Sequence, residues 1–288
     1  MESAIEVRSL WKHYDGFALK NLTFSVPRGY ITGLIGPNGS GKTTFIKLLM
    51  NLIRKDDGSI AIFGMDHLDH EIEIKERIGF VYDSHCYCSD QSLSMIKSSI
   101  APFYSRWDEE MFDSLLDRFK LPSRKRFSSL SLGMKTQFSL SLALSHHADL
   151  LILDEPTTGL DPVFRRQFLE LLSGIIQDEQ KSVLFSTHIT SDLDKIADHI
   201  IFLHKGELML SQTKDDLHEQ WGIIKLREDL VPPAMAPHIR GIRKHPFGCE
   251  TLTDNVTAIR ELLPSDAIVE KPTIEDIMIF LSEGGVHV

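Results

Sequence analysis

The first residues in this chain that can do chemistry are Gly36-Pro37-Asn38-Gly39-Ser40-Gly41-Lys42-Thr43. They fit the pattern G-x-x-x-x-G-K-[ST], in which glycines let consecutive backbone N–H groups curl around phosphate oxygens without Cβ clashes. A helix opening at this point presents its positive end to the same anion. Lys42 adds a point charge at the β- and γ-phosphates, and the Thr43 hydroxyl suits Mg²⁺. A second pair, Asp154-Glu155, ends the apolar run Leu150-Leu151-Ile152-Leu153. Asp154 at a strand tip can hold the hydration shell of Mg²⁺, and Glu155, one residue on, can polarise an attacking water. The glycine loop alone says only nucleotide; the acids point to hydrolysis.

The elements that must hold these groups are legible as alternating segments. Ile5 to Ser9 and Leu22 to Val26 read as strands, the second closed by Pro27-Arg28-Gly29. Tyr30 to Ile35 is an apolar, β-branched strand running into the glycines, and Thr43 to Leu52 has helical spacing. Ser59 to Phe63 and Ile78 to Val81 read as strands. From about residue 84 to 145 the pattern turns helical, bounded by Ser105, Pro122 and Ser128, as an inserted subdomain would be. Leu150 to Leu153 is apolar throughout, as a strand buried on both faces should be, followed by a helix over Val163 to Gln177 and a strand over Ser182 to Ser186. Past residue 214, prolines at 232, 233, 237 and 246 interrupt short strand-like pieces. Two helices follow, Asn255 to Leu263 and Thr273 to Ser282, the latter with Thr273 and Asp276 placed for a cap. The expected fold is α/β: a mostly parallel sheet, an antiparallel β subdomain, an inserted helical subdomain and a small C-terminal α+β extension. The boundaries fall at 1–213 and 214–288.

A length of 288 residues corresponds to about two domains at roughly 150 residues each. Apolar residues at 42% and charged residues at 25% describe a globular chain and exclude a disordered or collagenous one. Thirty-one basic against 41 acidic residues leave a net charge of −10, so no basic field exists to hold a nucleic-acid backbone. Cys86, Cys88 and Cys249 are too few and too uneven for a disulfide framework, which favours a reducing compartment. Met1-Glu2-Ser3-Ala4 lacks the basic-then-apolar order of a secretory signal, and no run approaches about 18 apolar residues. A cytosolic chain without a membrane span is expected.

In motif order the chain resembles the nucleotide-binding subunits of ABC transporters, members of the P-loop NTPases. Leu130-Ser131-Leu132-Gly133-Met134 stands where that family carries its signature sequence, Gly159-Leu160-Asp161 where it carries the D-loop, and His188 follows the strand Val183 to Thr187 as the switch histidine. Tyr14 matches the aromatic that stacks on adenine. The likeness runs from residue 5 to 213. It implies ATP and Mg²⁺, with Gly36, Asn38, Gly39, Ser40, Gly41, Lys42, Thr43 and Thr44 around the phosphates, Glu155 and His188 in catalysis, and Thr43, Asp83 and Asp154 toward the metal. Ser131 and Gly133 would serve a nucleotide held by a second copy, identical or related, and Asp161 of the D-loop is a further nucleotide-binding residue. The resemblance further implies a separate transmembrane permease, a place on the inner face of the membrane, and export of peptides, antibiotics or other amphipathic compounds. The alternative is a soluble ABC ATPase working on a cytosolic assembly; a single phosphate loop disfavours translation-type members, and the short interval between loop and acids disfavours chromosome-type members.

Three residues in two motifs depart from the family pattern. Leu132 and Met134 stand where Gly and Gln are usual, and Asp83 closes the segment Ile78-Gly79-Phe80-Val81-Tyr82-Asp83 where Gln is common. Asp83 is either a Mg²⁺ or water contact or a loop acid pointing away. Tyr14 is either a base platform or an ordinary strand aromatic. A groove for a partner helix is expected within Asp83 to Trp107, where Tyr87, Phe103, Tyr104 and Trp107 supply anchors. His85-Cys86-Tyr87-Cys88 packs three soft ligands but shows no fourth, so it reads as a loop; His67, His70, His146 and His147 read the same way. Arg118, Lys120, Arg124, Lys125 and Arg126 read either as a solvated helix end or as a cluster facing lipid headgroups or a membrane partner. Residues 214–288 either contact a second copy or regulate closing, or are a passive appendage that caps apolar surface.

Overall fold

The computed structural model describes residues 2–82, 87–227, 233–245, 248–264 and 267–283. Its centre is a six-stranded sheet in the order β10-β9-β3-β8-β7-β6, built from β3 (Ile31–Ile35), β6 (Ile78–Val81), β7 (Leu150–Asp154), β8 (Ser182–Thr187), β9 (His199–His204) and β10 (Glu207–Thr213). All pairs are parallel except the edge pair β9–β10. Every residue of β3, β7 and β8 is buried, because both faces carry cover. On one face lies α1 (Lys42–Leu49), whose Phe45, Ile46 and Leu49 meet Leu34, Ile152 and Leu184. On the other lie α5 (Leu132–Leu144), α6 (Pro162–Ile175) and α7 (Thr190–Ile196), bringing Leu140, Phe168, Leu172 and Leu193 against Leu151, Leu153 and Phe185. Full burial of one such Leu or Phe side chain contributes about 1.5–3 kcal/mol.

A second sheet, β2-β1-β4-β5, is antiparallel. It comprises β1 (Ser3–Tyr14), β2 (Phe17–Pro27), β4 (Asp57–Ile62) and β5 (Met65–Asp66). Its inner face packs on the far side of α1 through Ile5, Leu10, Leu22 and Val26, so α1 is held between two sheets. After β5 and before β6 comes the short α2 (Glu71–Glu76). The helical subdomain has α3 (Leu93–Ile100), α4 (Glu109–Arg118) and α5 around Phe112, Phe127 and Phe138. Ser92, Asp108 and Ser131 cap its three helices, each accepting the N–H three residues on.

Beyond residue 213, α8 (Lys214–Gln220) leads to an antiparallel sheet, β12-β13-β11-β14, formed by β11 (Gly222–Leu226), β12 (Ile239–His245), β13 (Gly248–Thr253) and β14 (Ile268–Glu270). Two helices complete it, α9 (Val256–Ile259) and α10 (Ile274–Ser282). Thr273 and Asp276 form the reciprocal cap read from their spacing. Trp221, Ile223, Ile274, Ile277 and Phe280 join the same apolar cluster as Leu193, Ala197 and Phe202, so this extension shares core with the central sheet.

Several boundaries differ from the sequence reading. β1 runs to Tyr14 rather than Ser9, because Ser9 sits at a register shift with φ 47° and breaks the alternation. The helix read as Thr43 to Leu52 spans Lys42–Leu49, and the one read as Asn255 to Leu263 is a single α turn followed by a 3₁₀ turn at Arg260–Leu262. α7 carries no expectation from the sequence: seven residues containing Thr, Ser and two Asp give little helical signal.

Candidate functional site

Register in the central sheet brings the sequence motifs to one edge. Ile35 of β3 pairs with Thr187 of β8, and Asp154 of β7 pairs with Ser186 of β8. The glycine loop, the Asp154-Glu155 pair and His188 therefore leave the carboxyl ends of three adjacent parallel strands, where open α/β sheets bind ligands. A cavity of about 550 Å³ sits there, lined by Asn38 to Thr44, Phe17, Glu155, Thr158 and His188.

The loop needs its glycines. Gly36 has φ 157°, and a Cβ would lie 2.3 Å from the Leu203 carbonyl oxygen; Gly41 has φ 109°, and a Cβ would lie 2.4 Å from Leu19 Cδ2. Gly41 caps α1 with no side-chain acceptor, and the first turn of α1 contains no acid. The free N–H groups of that turn, on residues lining the cavity, are left for an anion. Ser40 Oγ is buried without a hydrogen-bond partner, a further donor held at the loop. Lys42 is only 5% exposed, and its ammonium donates to Gly36 O at 2.7 Å and approaches Glu155 Oε1 at 3.6 Å. Burial pushes its pKa below the usual lysine value, opposed first by the Glu155 carboxylate and then by Asp154.

Glu155 follows the buried strand β7 with φ 49°, and its N–H donates to Ser186 O at 2.9 Å. Its Oε2 lies 2.8 Å from His188 Nδ1 and accepts from the Thr158 hydroxyl at 3.1 Å. An ionised carboxylate only accepts, so Nδ1 carries the proton in this pair. Asp154 is fully buried at the strand tip. Thr43 and Asp154 offer only oxygen ligands, the donor set that Mg²⁺ takes; these residues fit that ion.

Other expected residues lie elsewhere. Asp83, His85 and Cys86 fall outside the described residues. Tyr14 is half exposed, with Lys12 Nζ 5.4 Å from its ring centroid; it does not line the cavity, whereas Phe17, its cross-strand partner, does. An aromatic immediately after the Asp15-Gly16 turn is the signal that points to Phe17. Asp161 caps α6, Oδ1 accepting from Val163 and Phe164 N–H, and the Asp161-Pro162 dipeptide carried that signal. Ser131 and Gly133 lie at the start of α5, outside the cavity of their own chain. Gly133 packs near Phe164 and Leu160, and the departing residue Leu132 packs on Gly159.

Among the described residues no cluster of His, Cys, Asp or Glu is arranged to hold a metal. His67 Nδ1 meets Ile60 O, and His146 meets Ile78 O and Leu142 O. A separate cavity of about 330 Å³ is lined by Phe80, Tyr87, Ile100, Phe103 and Tyr104. Trp107 is not there. Its ring packs on Phe112 and its Nε1 donates to Glu109, so it belongs to the helical core.

The protein family described as ABC transporter matches residues 19–158. The chain is 30% identical over 226 residues to the ABC transporter ATP-binding protein YtrB of Bacillus subtilis (strain 168), covering 78% of this chain and 77% of that protein. It is 30% identical over 223 residues to the bacitracin transport ATP-binding protein BcrA of Enterococcus faecalis, covering 76% and 72%. Among solved structures, an ATP binding subunit of an ABC transporter aligns with a TM-score of 0.68 at 27% identity, covering 75% of this chain and 92% of that one.

Proposed function

Since the chain belongs to the ABC transporter ATP-binding proteins, which bind and hydrolyse ATP, we propose that it does so in a dimer closed around two nucleotides and thereby drives a permease that exports an amphipathic compound such as a peptide antibiotic. The observation that carries this reading is the meeting of Lys42, Glu155 and His188 beside the glycine loop while Ser131 and Gly133 stay outside that cavity. In this reading Ser131 and Gly133 of a second copy, identical or related, complete the phosphate contacts.

In this reading the loop N–H groups and Ser40 receive the phosphate oxygens, and Lys42 leaves the Gly36 carbonyl to balance the γ-phosphate charge. Glu155 accepts the proton of the attacking water. Glu155 is held for that task by Thr158 and by the Nδ1–H of His188. With Nδ1 donating, Nε2 of the neutral ring accepts from the water, and in the protonated ring it donates to a γ-phosphate oxygen. Thr43 and Asp154 would hold Mg²⁺, which supplies charge neutralisation between the phosphates. Phe17, with Tyr14 across the turn, offers the base a ring face.

ATP binds the closed pair far better than the open one, so its differential affinity moves a two-state equilibrium. The BcrA likeness supports an exported antibiotic or peptide as cargo. No helix among the described residues is long and apolar enough to cross a membrane; in this reading the permease supplies the passage, and the chain docks on its cytoplasmic face. Tyr87, Phe103 and Tyr104 around the smaller cavity suit a permease helix. Residues 1–213 do the nucleotide work, and 214–288 cap the core they share with the central sheet. Steady-state hydrolysis as a function of protein concentration tests the scheme: the rate per chain rises with concentration if two copies complete each site, and stays constant if one copy suffices.

A further inference from the structure

Asp192, in the first turn of α7, is fully buried. A buried carboxylate persists only with charged or hydrogen-bonding partners on its oxygens. Asp192 has one on each: Arg165 Nε donates to Oδ1 at 2.6 Å, and the Thr157 hydroxyl donates to Oδ2 at 2.7 Å. Arg165 then reaches Ser191 Oγ through Nη2 at 3.2 Å. Thr157 is itself buried, at 1% exposure.

The sources of those partners matter more than their number. Thr157 lies two residues after Glu155, Arg165 lies in the first turn of α6 just after Asp161, and Asp192 lies four residues after His188. One carboxylate thus ties together the turn that carries Glu155, the helix behind the Gly159-Leu160-Asp161 segment and the helix that follows His188. Glu155 sits at φ 49°, a conformation that a non-glycine residue keeps only where the surroundings over-determine it. The 2.8 Å contact between Glu155 and His188 spans two of the tied segments. None of these three residues lines the nucleotide cavity.

We propose that Asp192 is a positioning residue for hydrolysis: its bonds to Thr157 and Arg165 hold Glu155 and His188 at the separation that water activation requires. The proposal rests on the reading of Glu155 as the base. Misplacement of a catalytic group by about 1 Å can cost on the order of 100-fold in rate, while the phosphate loop, on a different strand end, is untouched.

The test uses the full chain with Asp192→Asn and, as a shape-conserving partner that leaves the buried charge pair intact, Thr157→Val. ATP-binding constants, kcat, KM and thermal midpoints are measured for both, for their combination and for Glu155→Gln. The expected result is a fall in kcat of about 10- to 100-fold in each single variant, with KM and the ATP-binding constant within about two-fold. The double variant should fall less than the product of the singles, because both changes break one tie. If Glu155→Gln is inactive yet Thr157→Val turns over like the unaltered chain, Asp192 does not position the base and the proposal is overturned alone. Loss of kcat that only tracks loss of folded protein overturns it too. If Glu155→Gln keeps normal turnover, the base assignment falls first and the positioning role falls with it.

Discussion

Glu155 Oε2 and His188 Nδ1 stand 2.8 Å apart, although their strands are separated by α6. The contact follows from the sheet: β7 and β8 are parallel neighbours with Asp154 opposite Ser186, so the residues one and two positions further on leave the sheet side by side. Deleting the imidazole should take from Glu155 one of the donors that hold it, leaving the Thr158 hydroxyl, and remove the Nε2 contact. We expect His188→Ala to lower kcat by about 10²- to 10⁴-fold, with nucleotide affinity little changed because Lys42 and the loop N–H groups remain. Parallel measurements of steady-state rate and ATP binding check this; a weaker binding constant with unchanged kcat would place His188 outside the chemistry.

Gly36 tests the loop itself. An alanine Cβ would fall 2.3 Å from a backbone oxygen, that of Leu203, and 2.5 Å from Ser40 Oγ, and backbone yields less readily than a side-chain tip. Gly36→Ala should cost about 1–3 kcal/mol of stability and reduce ATP binding more than ten-fold. Calorimetric titration with ATP and a thermal melt read both numbers.

Ser131 caps α5 and, in the proposed dimer, faces the partner's γ-phosphate. The two roles separate in one substitution, because aspartate caps a helix as well as serine does but sets a negative charge against phosphate. Ser131→Asp should keep the thermal midpoint and the ATP affinity of the single chain while losing ATP-dependent association. Ser131→Ala should instead lose about 0.5–2 kcal/mol from the cap. Association measured beside melting distinguishes the effects.

His146 makes acid an opponent of folding. The ring is buried, stacks on Tyr104 with centroids 3.8 Å apart, and meets the carbonyls of Ile78 and Leu142. Burial pushes its pKa below the usual 6.5, partly offset by those carbonyls. The unfolded chain therefore takes up the proton first as pH falls, and stability is lost from about pH 6.5 downward until the folded pKa is passed. His67 is shifted in the same direction by burial. Thermal midpoints from pH 7.5 to 5.5 should decline, and the decline should be shallower in His146→Gln.

Much of the site was legible because its motifs are local. Glycines, Lys42 and Thr43 are contiguous, Asp154-Glu155 ends an apolar run, and the parallel strands carried an uninterrupted hydrophobic signal. What stayed hidden depends on contacts between distant segments. Thr157, Arg165 and Asp192 carry no motif signal, since they sit in a turn and in two separate helices that only the fold places together, and Thr158 joins Glu155 only through the turn geometry after β7. Phe17 was masked by Tyr14, since the hairpin turn decides which of two facing aromatics lines the cavity. Trp107 looked like a groove anchor because an amphipathic segment does not say which of its aromatics turns inward; packing against Phe112 decides that. The extension beyond residue 213 gave a weak signal because its strands are short and prolines interrupt them.

The most direct measurement is the mass of the Glu155→Gln chain by sedimentation with and without saturating Mg²⁺–ATP. Blocked hydrolysis should trap the closed form, so the account predicts a nucleotide-dependent dimer that the magnesium-free or nucleotide-free sample lacks. A particle that stays the size of one chain at saturating nucleotide, both by itself and mixed with the unaltered chain, would contradict a site completed by Ser131 and Gly133 of a second identical copy.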